Sequence, residues 1–333
     1  MRFAARWIDV GLVSPAIFHA TYIGLANQQE RGASPILMWG RSTGHICLGQ
    51  HQHLIAELKH PLEVPVLQRP LGGGTVWVDE FQYCFVFIVP LDHVRSRPQQ
   101  WFESYLAPAM ATCRQFGLNV VRREQDIWLG NRKIGGSGAA TIGHCAVLAS
   151  SFLLHFPVER FVQCIACPSE GFRDWLKEAL HEAMTDWETH CPVPDETRLA
   201  QALRENAQTS LGWAFSDSAP SELETKAREE ALLEVAELDD TVGRRLIPNG
   251  IKLNARTFLT EREDKGNWAR VLTVDGKFAK IQLSRLLPQR VLDHLVLSSP
   301  EPKALQSVLT GMMPDDEANY WVALIMKTAY FQT

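Results

Sequence analysis

The sequence predicts an α+β protein in two parts, and three observations carry that expectation. Short runs of aliphatic, β-branched and aromatic residues recur through positions 36–156 between Gly, Pro, Asn and Asp, the pattern of strands punctuated by turns. Longer stretches at 14–31, 98–116 and 158–240 carry apolar residues at helical spacing and flank those strands. After Gly243 the character changes to a hairpin with a helix-like tail. A chain of 333 residues is long enough for about two domains. Boundaries at 1–240 for a main body and 245–333 for a small α+β domain are expected.

Residues 14–31 read as a helix, with Ser14 as its cap and Pro15 in the first turn. Ile36–Trp39 and His45–Leu48 are short strands joined by a Gly/Ser/Thr turn, a hairpin pattern. The run 64–67 leads into a glycine triplet. Strands follow at Thr75–Val78 and Tyr83–Val89, the second apolar enough to be central. An amphipathic helix at 98–116 precedes strands at 119–121 and 126–129, and Gly130-Asn131 turns the chain back into Lys133-Ile134. Another strand is expected at 146–156, then helix from 158 to about 240. Within 222–240, eight acids (Glu222, Glu224, Glu229, Glu230, Glu234, Glu237, Asp239, Asp240) surround Leu223, Ala227, Ala231 and Val235, the solvated face of a packed helix. Trp268–Val274 and Lys277–Leu283 form a hairpin about Asp275-Gly276, and a helical tail starts at Pro302.

Composition excludes several classes. Net charge is −5 and the pI near 6.1, so no overall basic field argues for nucleic acid. No apolar run approaches the ~20 residues of a membrane span. The start has no long apolar core before Asp9, a poor signal peptide. The seven cysteines follow no disulfide rhythm and fit reduced thiols in a cytoplasmic protein. Cys164-Ile-Ala-Cys167 lacks a second ligand pair, so no metal site is expected there.

The informative residues are two glycine clusters. The first is Arg69-Pro70-Leu71-Gly72-Gly73-Gly74-Thr75-Val76-Trp77-Val78-Asp79. The second is Gly130-Asn131-Arg132-Lys133-Ile134-Gly135-Gly136-Ser137-Gly138. Taken alone, the triplet reads as a tight turn and Lys133 as a solvated surface lysine. Together they read as a backbone cradle and a cation facing one anionic or acyl ligand.

In this order the motifs resemble the lipoate–protein ligase family, which shares its catalytic fold with biotin–protein ligases and octanoyltransferases. The family's glycine motif, Arg-Arg-x-Ser-Gly-Gly-Gly-Ala-Val-x-His-Asp, corresponds to 68–79. Arg69, the three glycines and Asp79 are kept, while Gln68, Leu71 and Val78 replace an Arg, a Ser and a His. The second motif, Asn-Asp-(apolar)-x-x-Gly-x-Lys-Ile-x-Gly-Ser-Ala, is matched from Gln125-Asp126 to Ser137-Gly138. His144 occupies the place of a His turn before an apolar strand, and 37–39 with 48–52 resemble the family's first hairpin. Tyr22 stands where its opening helix usually carries an acid. The resemblance covers most of 1–160 and, more loosely, 245–300. It implies mixed sheets with flanking helices and a C-terminal accessory domain.

The resemblance implies two half-reactions. Lipoate or octanoate is joined to ATP, with Mg²⁺, as an acyl-adenylate, and the acyl group then passes to a lysine of a lipoyl carrier domain, such as an E2 subunit or a glycine-cleavage H-like protein. Lys133 is the catalytic candidate, neutralising developing charge. Arg69, Gly72, Gly73, Gly74, Thr75, Asp79, Asp126, Gly136, Ser137 and His144 are expected to bind substrate or adenylate, Arg69 as a planar fork for phosphate. Asp126 either orients the adenylate or holds Mg²⁺. Trp39 and Trp77 are expected either to line an acyl tunnel or to pack in the core. Two other readings stay open. One is a transferase taking its acyl group from a thioester, with Cys167 as nucleophile, or Cys145 as a further candidate. The other is an acyl- or carrier-binding relative without turnover.

Overall fold

The computed structural model describes residues 3–94, 98–236 and 243–331. In chain order the elements run β1 (Phe3–Val13), α1 (Pro15–Gln28), β2 (Ile36–Ser42), β3 (His45–Leu48), α2 (Leu54–Glu57), β4 (Val66–Gln68), β5 (Val76–Val78), β6 (Gln82–Pro90) and α3 (Pro98–Gln115). There follow β7 (Val120–Arg123), β8 (Asp126–Leu129), β9 (Arg132–Gly135), β10 (Ser137–Ile142), β11 (Cys145–Leu153), α4 (Val158–Cys164), α5 (Glu170–Ala183), α6 (Glu196–Leu211), β12 (Trp213–Asp217) and α7 (Glu222–Ala236). The last part holds β13 (Gly250–Asn254), β14 (Thr257–Asp264), β15 (Asn267–Val274), β16 (Lys277–Leu283), α8 (Gln289–Leu297), α9 (Pro302–Leu309) and α10 (Asp315–Thr328). No helix among the described residues is long and apolar enough to cross a membrane.

A six-stranded mixed sheet, β10-β11-β6-β2-β1-β12, forms the body, with β6 inside it as its unbroken apolar run requires. Period-two alternation sends successive residues to opposite faces. Leu37, Trp39, Phe85 and Phe87 pack with α3 and α6 residues such as Trp101, Leu106, Leu199 and Leu203. Ile36, Met38, Val86 and Ile88 pack on the other face with α1 and α7. α7 crosses α1 closely at Gly24, where a Cβ would lie 2.5 Å from the Arg228 amide nitrogen. Three smaller sheets complete the fold: β4-β3-β5, β7-β8-β9 and β13-β14-β15-β16. The four-stranded sheet is backed by α8, α9 and α10. It meets the rest of the chain through Ile251, Leu253, Leu259 and Leu272, which share a core with β3, α4 and α5.

Several expectations are corrected. β2 and β3 form no hairpin: β2 pairs with β1 and β6, whereas β3 pairs with β4 and β5 in another sheet. β1, for which no element is expected, and β12, expected within a helical region, are parallel partners in the main sheet. β10 continues directly from the Lys133 cluster, and β13 and β14 complete the C-terminal sheet. Leu223 on α7 is exposed, while Ala231 and Val235 are buried. Positions 237–242, which hold Glu237, Asp239, Asp240 and most of the expected boundary, lie outside the described residues.

Candidate active site

Lys133 owes its place to a tight hairpin. Gly130, at φ +58°, turns β8 into β9, and the Lys133 carbonyl accepts a 2.9 Å hydrogen bond from the Thr185 amide. Its Nζ lies 2.9 Å from Asp126 Oδ1, both side chains being largely buried. A Cβ at Gly136 would stand 3.1 Å from Lys133 Cε and Nζ, so the glycine lets the amine lie against the backbone. Lys252 on β13 shares this corner: burial lowers its pKa, Asp126 raises it and Lys133 lowers it further. Two lysines thus meet Asp126 at this corner, and Glu124 also acts on Lys252.

This corner opens into a cavity of about 220 Å³ that holds most of the expected residues. Lys133, Asp126, Gly136, Ser137, Arg69, Gly73, Gly74, Thr75 and Trp77 all line it. Gly73 and Gly74 line it as bare backbone, with Gly73 at φ +106°. The loop packs so closely that a Cβ at Gly49 would stand 2.1 Å from the Gly73 carbonyl oxygen. Leu71, Phe18, Val86, Phe161, Ile251 and Leu253 supply apolar wall. Leu71 stands where the family has a serine, and its burial among Phe18 and Val86 extends that wall.

Other expected residues have different work. Arg69 is not a free phosphate fork. Its Nη1 donates to the Cys47 carbonyl at 3.0 Å, and Nη2 donates to Gly72 and Gly74 carbonyls at 3.2 and 2.8 Å, which shapes the glycine loop from inside. Gly72 is therefore a carbonyl anchor outside the lining. Gln68 also anchors backbone, its Nε2 donating to the Gly49, Gln50 and Gln52 carbonyls. Asp79 lies behind the wall, where its carboxylate accepts from Trp77 Nε1 at 2.6 Å and from the Phe81 amide at 3.0 Å, fixing the Trp77 ring. Burial raises the Asp79 pKa, against those two hydrogen bonds.

Besides Gly72 and Asp79, four candidates fall outside the cavity. Trp39 stacks on Tyr83 and Trp7 in the α3–α6 core, because strand alternation aims it away from the α1 face that holds the cavity. His144 is exposed in the β10–β11 turn, where its carbonyl accepts from Leu91. Cys167 packs against the α4–α5 core, and burial pushes its thiol up. Cys145 is fully buried and pushed up to about 12 by burial, then by Asp92. Sequence reasoning missed Lys252, whose signal is one lysine within the apolar alternation of Gly250–Asn254. It also missed His19 and Cys47, which line the cavity from α1 and β3.

The lipoyl protein ligase A/B catalytic domain family matches residues 21–207, more than half the chain. The protein belongs to that family. Among solved structures, a bi-partite lipoate protein ligase from Thermoplasma acidophilum, studied with its E2 lipoyl domain, is 17% identical with a TM-score of 0.66, covering 74% of this chain and 100% of that one. A lipoate-protein ligase A bound with ATP is 16% identical at TM-score 0.61, covering 70% and 95%. P. falciparum LipL1 in complex with lipoate is 13% identical at TM-score 0.56, covering 96% and 99%, so the likeness of fold extends through the C-terminal sheet. No curated protein matches the sequence.

Proposed function

We propose that this family member is an ATP-dependent lipoate–protein ligase acting on lipoate or octanoate. The observation that carries the reading is the Lys133–Asp126 pair, set against the bare backbone of Gly136 at one corner of a largely apolar cavity. The solved relatives bound with ATP and with lipoate, and the one studied with its E2 lipoyl domain, support the substrates and a lipoyl carrier partner. A cytoplasmic location belongs to the same reading.

The chain's groups divide the work. Lys133 and Lys252 attract the acid's carboxylate and the α-phosphate and lower their mutual repulsion, an electrostatic contribution fixed before the reaction starts. The backbone at Gly73 and Gly74 lets substrate oxygens approach without side-chain bulk. Leu71, Val86 and Phe18 take the acyl chain and exclude water, which protects a mixed anhydride from hydrolysis. The oxygen of the acid attacks the α-phosphorus and pyrophosphate leaves. The carrier lysine's amine then attacks the acyl carbon, and AMP leaves. Asp126 is the one carboxylate lining the cavity among the described residues, and one carboxylate plus phosphates is a usual Mg²⁺ set. Mg²⁺ bound there would supply charge neutralisation.

The Cys167 transferase reading has no observation in its favour, since that thiol lies outside the cavity and is pushed up by burial. The test is acylation of a lipoyl domain followed by intact mass. Modification with octanoate that needs ATP, and that persists in Cys167→Ser within about tenfold, is expected. Transfer from an octanoyl thioester without ATP would contradict the ligase reading, and octanoate binding with no transfer would favour a non-catalytic relative.

A further inference from the structure

A second polar group, which acyl transfer does not use, reaches the cavity through His19, Cys47 and Arg69. His45 and Cys47, two apart on β3, point to one side and meet His19 of α1 and Arg69. The reactive atoms of His19, His45 and Cys47 lie within 4.8 Å of one another, and all three residues are buried. His45 Nδ1 lies 2.9 Å from the Thr43 carbonyl, which only accepts, so Nδ1 carries the proton and Nε2 keeps its lone pair. His19 Nε2 stands 3.2 Å from His45 Nε2 and is the donor between them; Tyr22 Oη, 3.2 Å from His19 Nδ1, completes the chain. Burial, then Arg69, holds the His19 pKa down at about 3.

Charge balance singles out the sulfur. Arg69 is buried, and no ion pair joins it to a carboxylate among the described residues. Its Nη1 lies 3.5 Å from Cys47 Sγ. Burial pushes this thiol up, but Arg69 and His45 together outweigh that and hold it below the usual thiol range. A buried cation favours a counter-charge, and a thiolate at Cys47 would supply one to Arg69. Two imidazoles and a thiolate are also a metal-ligand set. A divalent ion, however, would place three positive charges with Arg69 against one negative charge.

We propose that Cys47 is a reactive thiolate in the acyl cavity that exchanges with the cyclic disulfide of lipoate, holding the oxidised acid as a reversible mixed disulfide. The proposal rests on the lipoate reading above. Lys133 and Cys47 line one cavity with Leu71, Phe18 and Val86, so an acid whose carboxylate meets Lys133 has an apolar wall leading to its tail site. Sγ attacks one ring sulfur, the ring S–S bond breaks as the new S–S bond forms, and the electron pair leaves on the second ring sulfur. That sulfur carries the negative charge that Cys47 brought, so charge balances with no proton moved. One disulfide replaces another, and no outside oxidant or reductant enters. Octanoate has no such group, so the two acids are held differently.

The test is intact mass of the full chain under non-reducing conditions after incubation with lipoamide, which ATP cannot activate. One adduct is expected, mapped to Cys47, reversed by dithiothreitol, absent with octanamide and retained in Cys84→Ser and Cys167→Ser. Wild-type protein that forms no adduct, an adduct that survives in Cys47→Ser, or a stoichiometric metal bound through Cys47 would each overturn the proposal. The wild-type measurement decides even if Cys47→Ser folds poorly. ATP-dependent octanoylation of the carrier reports the ligase reading separately, because it involves no disulfide.

Discussion

Lys133 is held by Asp126 at 2.9 Å with Gly136 beneath it, so its charge is fixed before substrate arrives. Lys133→Ala should lower carrier acylation by on the order of 10²-fold or more, with an unchanged thermal melt because the side chain supports little core. Lys133→Arg should not restore activity, since its wider fork meets the Gly136 backbone where a point charge fits. Asp79→Asn tests positioning. It weakens the 2.6 Å bond from Trp77 Nε1, and the Michaelis constant for octanoate should rise while maximal rate changes little. A fall in rate at constant Michaelis constant would mean that Asp79 acts on the reacting atoms. At this scale the two glycine clusters made Lys133, Asp126, Gly73 and Gly74 legible: the β8–β9 hairpin places the first two locally, and the glycines sit on the loop from β4 to β5, which flank β3. Arg69 lines the cavity and Asp79 lies behind its wall, and neither role was legible. Which carbonyl or indole they reach depends on β3 and β5 coming together across the fold.

The helices and strands were legible where a local period decides them. α1, with Ser14 accepting from the Ile17 amide, β6 and the β15–β16 hairpin, with Asp275 and Gly276 at φ +51° and +71°, fall where cap, apolar run and turn chemistry put them. β1 and β12 were missed because their partners are some 200 positions apart in the chain, a pairing that no local window contains. The same junction carries an ion pair, with Arg6 Nη2 donating to Glu224 Oε2 at 3.0 Å and tying β1 to α7. Burial raises the Glu224 pKa, but Arg6 and Ser221 outweigh it and the net shift is downward. A depressed carboxylate contributes stability above its unfolded value and loses it as pH falls through the folded one. Glu224→Gln should therefore cost about 1–2 kcal/mol near pH 7, and thermal melts should show the difference beginning to shrink below about pH 4.5 and vanishing only once pH falls through the lower folded value. A difference that stays constant to pH 3 would contradict this. Gly24→Ala should cost about 1–3 kcal/mol by overpacking the α1–α7 crossing.

At the scale of the whole molecule, the four-stranded sheet closes the cavity that the main body opens. We propose that 245–333 is an accessory unit contributing to the site through Ile251, Lys252 and Leu253. Lys252→Ala should reduce acylation about tenfold, or ~1.4 kcal/mol; unchanged activity would make the sheet a scaffold only. This contribution was illegible beforehand because it depends on how the sheet docks through Leu259 and Leu272. The central claim is that Lys133 and the glycine loop serve adenylation. The most direct measurement is exchange of labelled pyrophosphate into ATP with octanoate and no carrier present. Exchange is expected to need both the acid and Mg²⁺ in wild-type protein and to be lost in a well-folded Lys133→Ala variant. Carrier acylation that proceeds without any such exchange would contradict it.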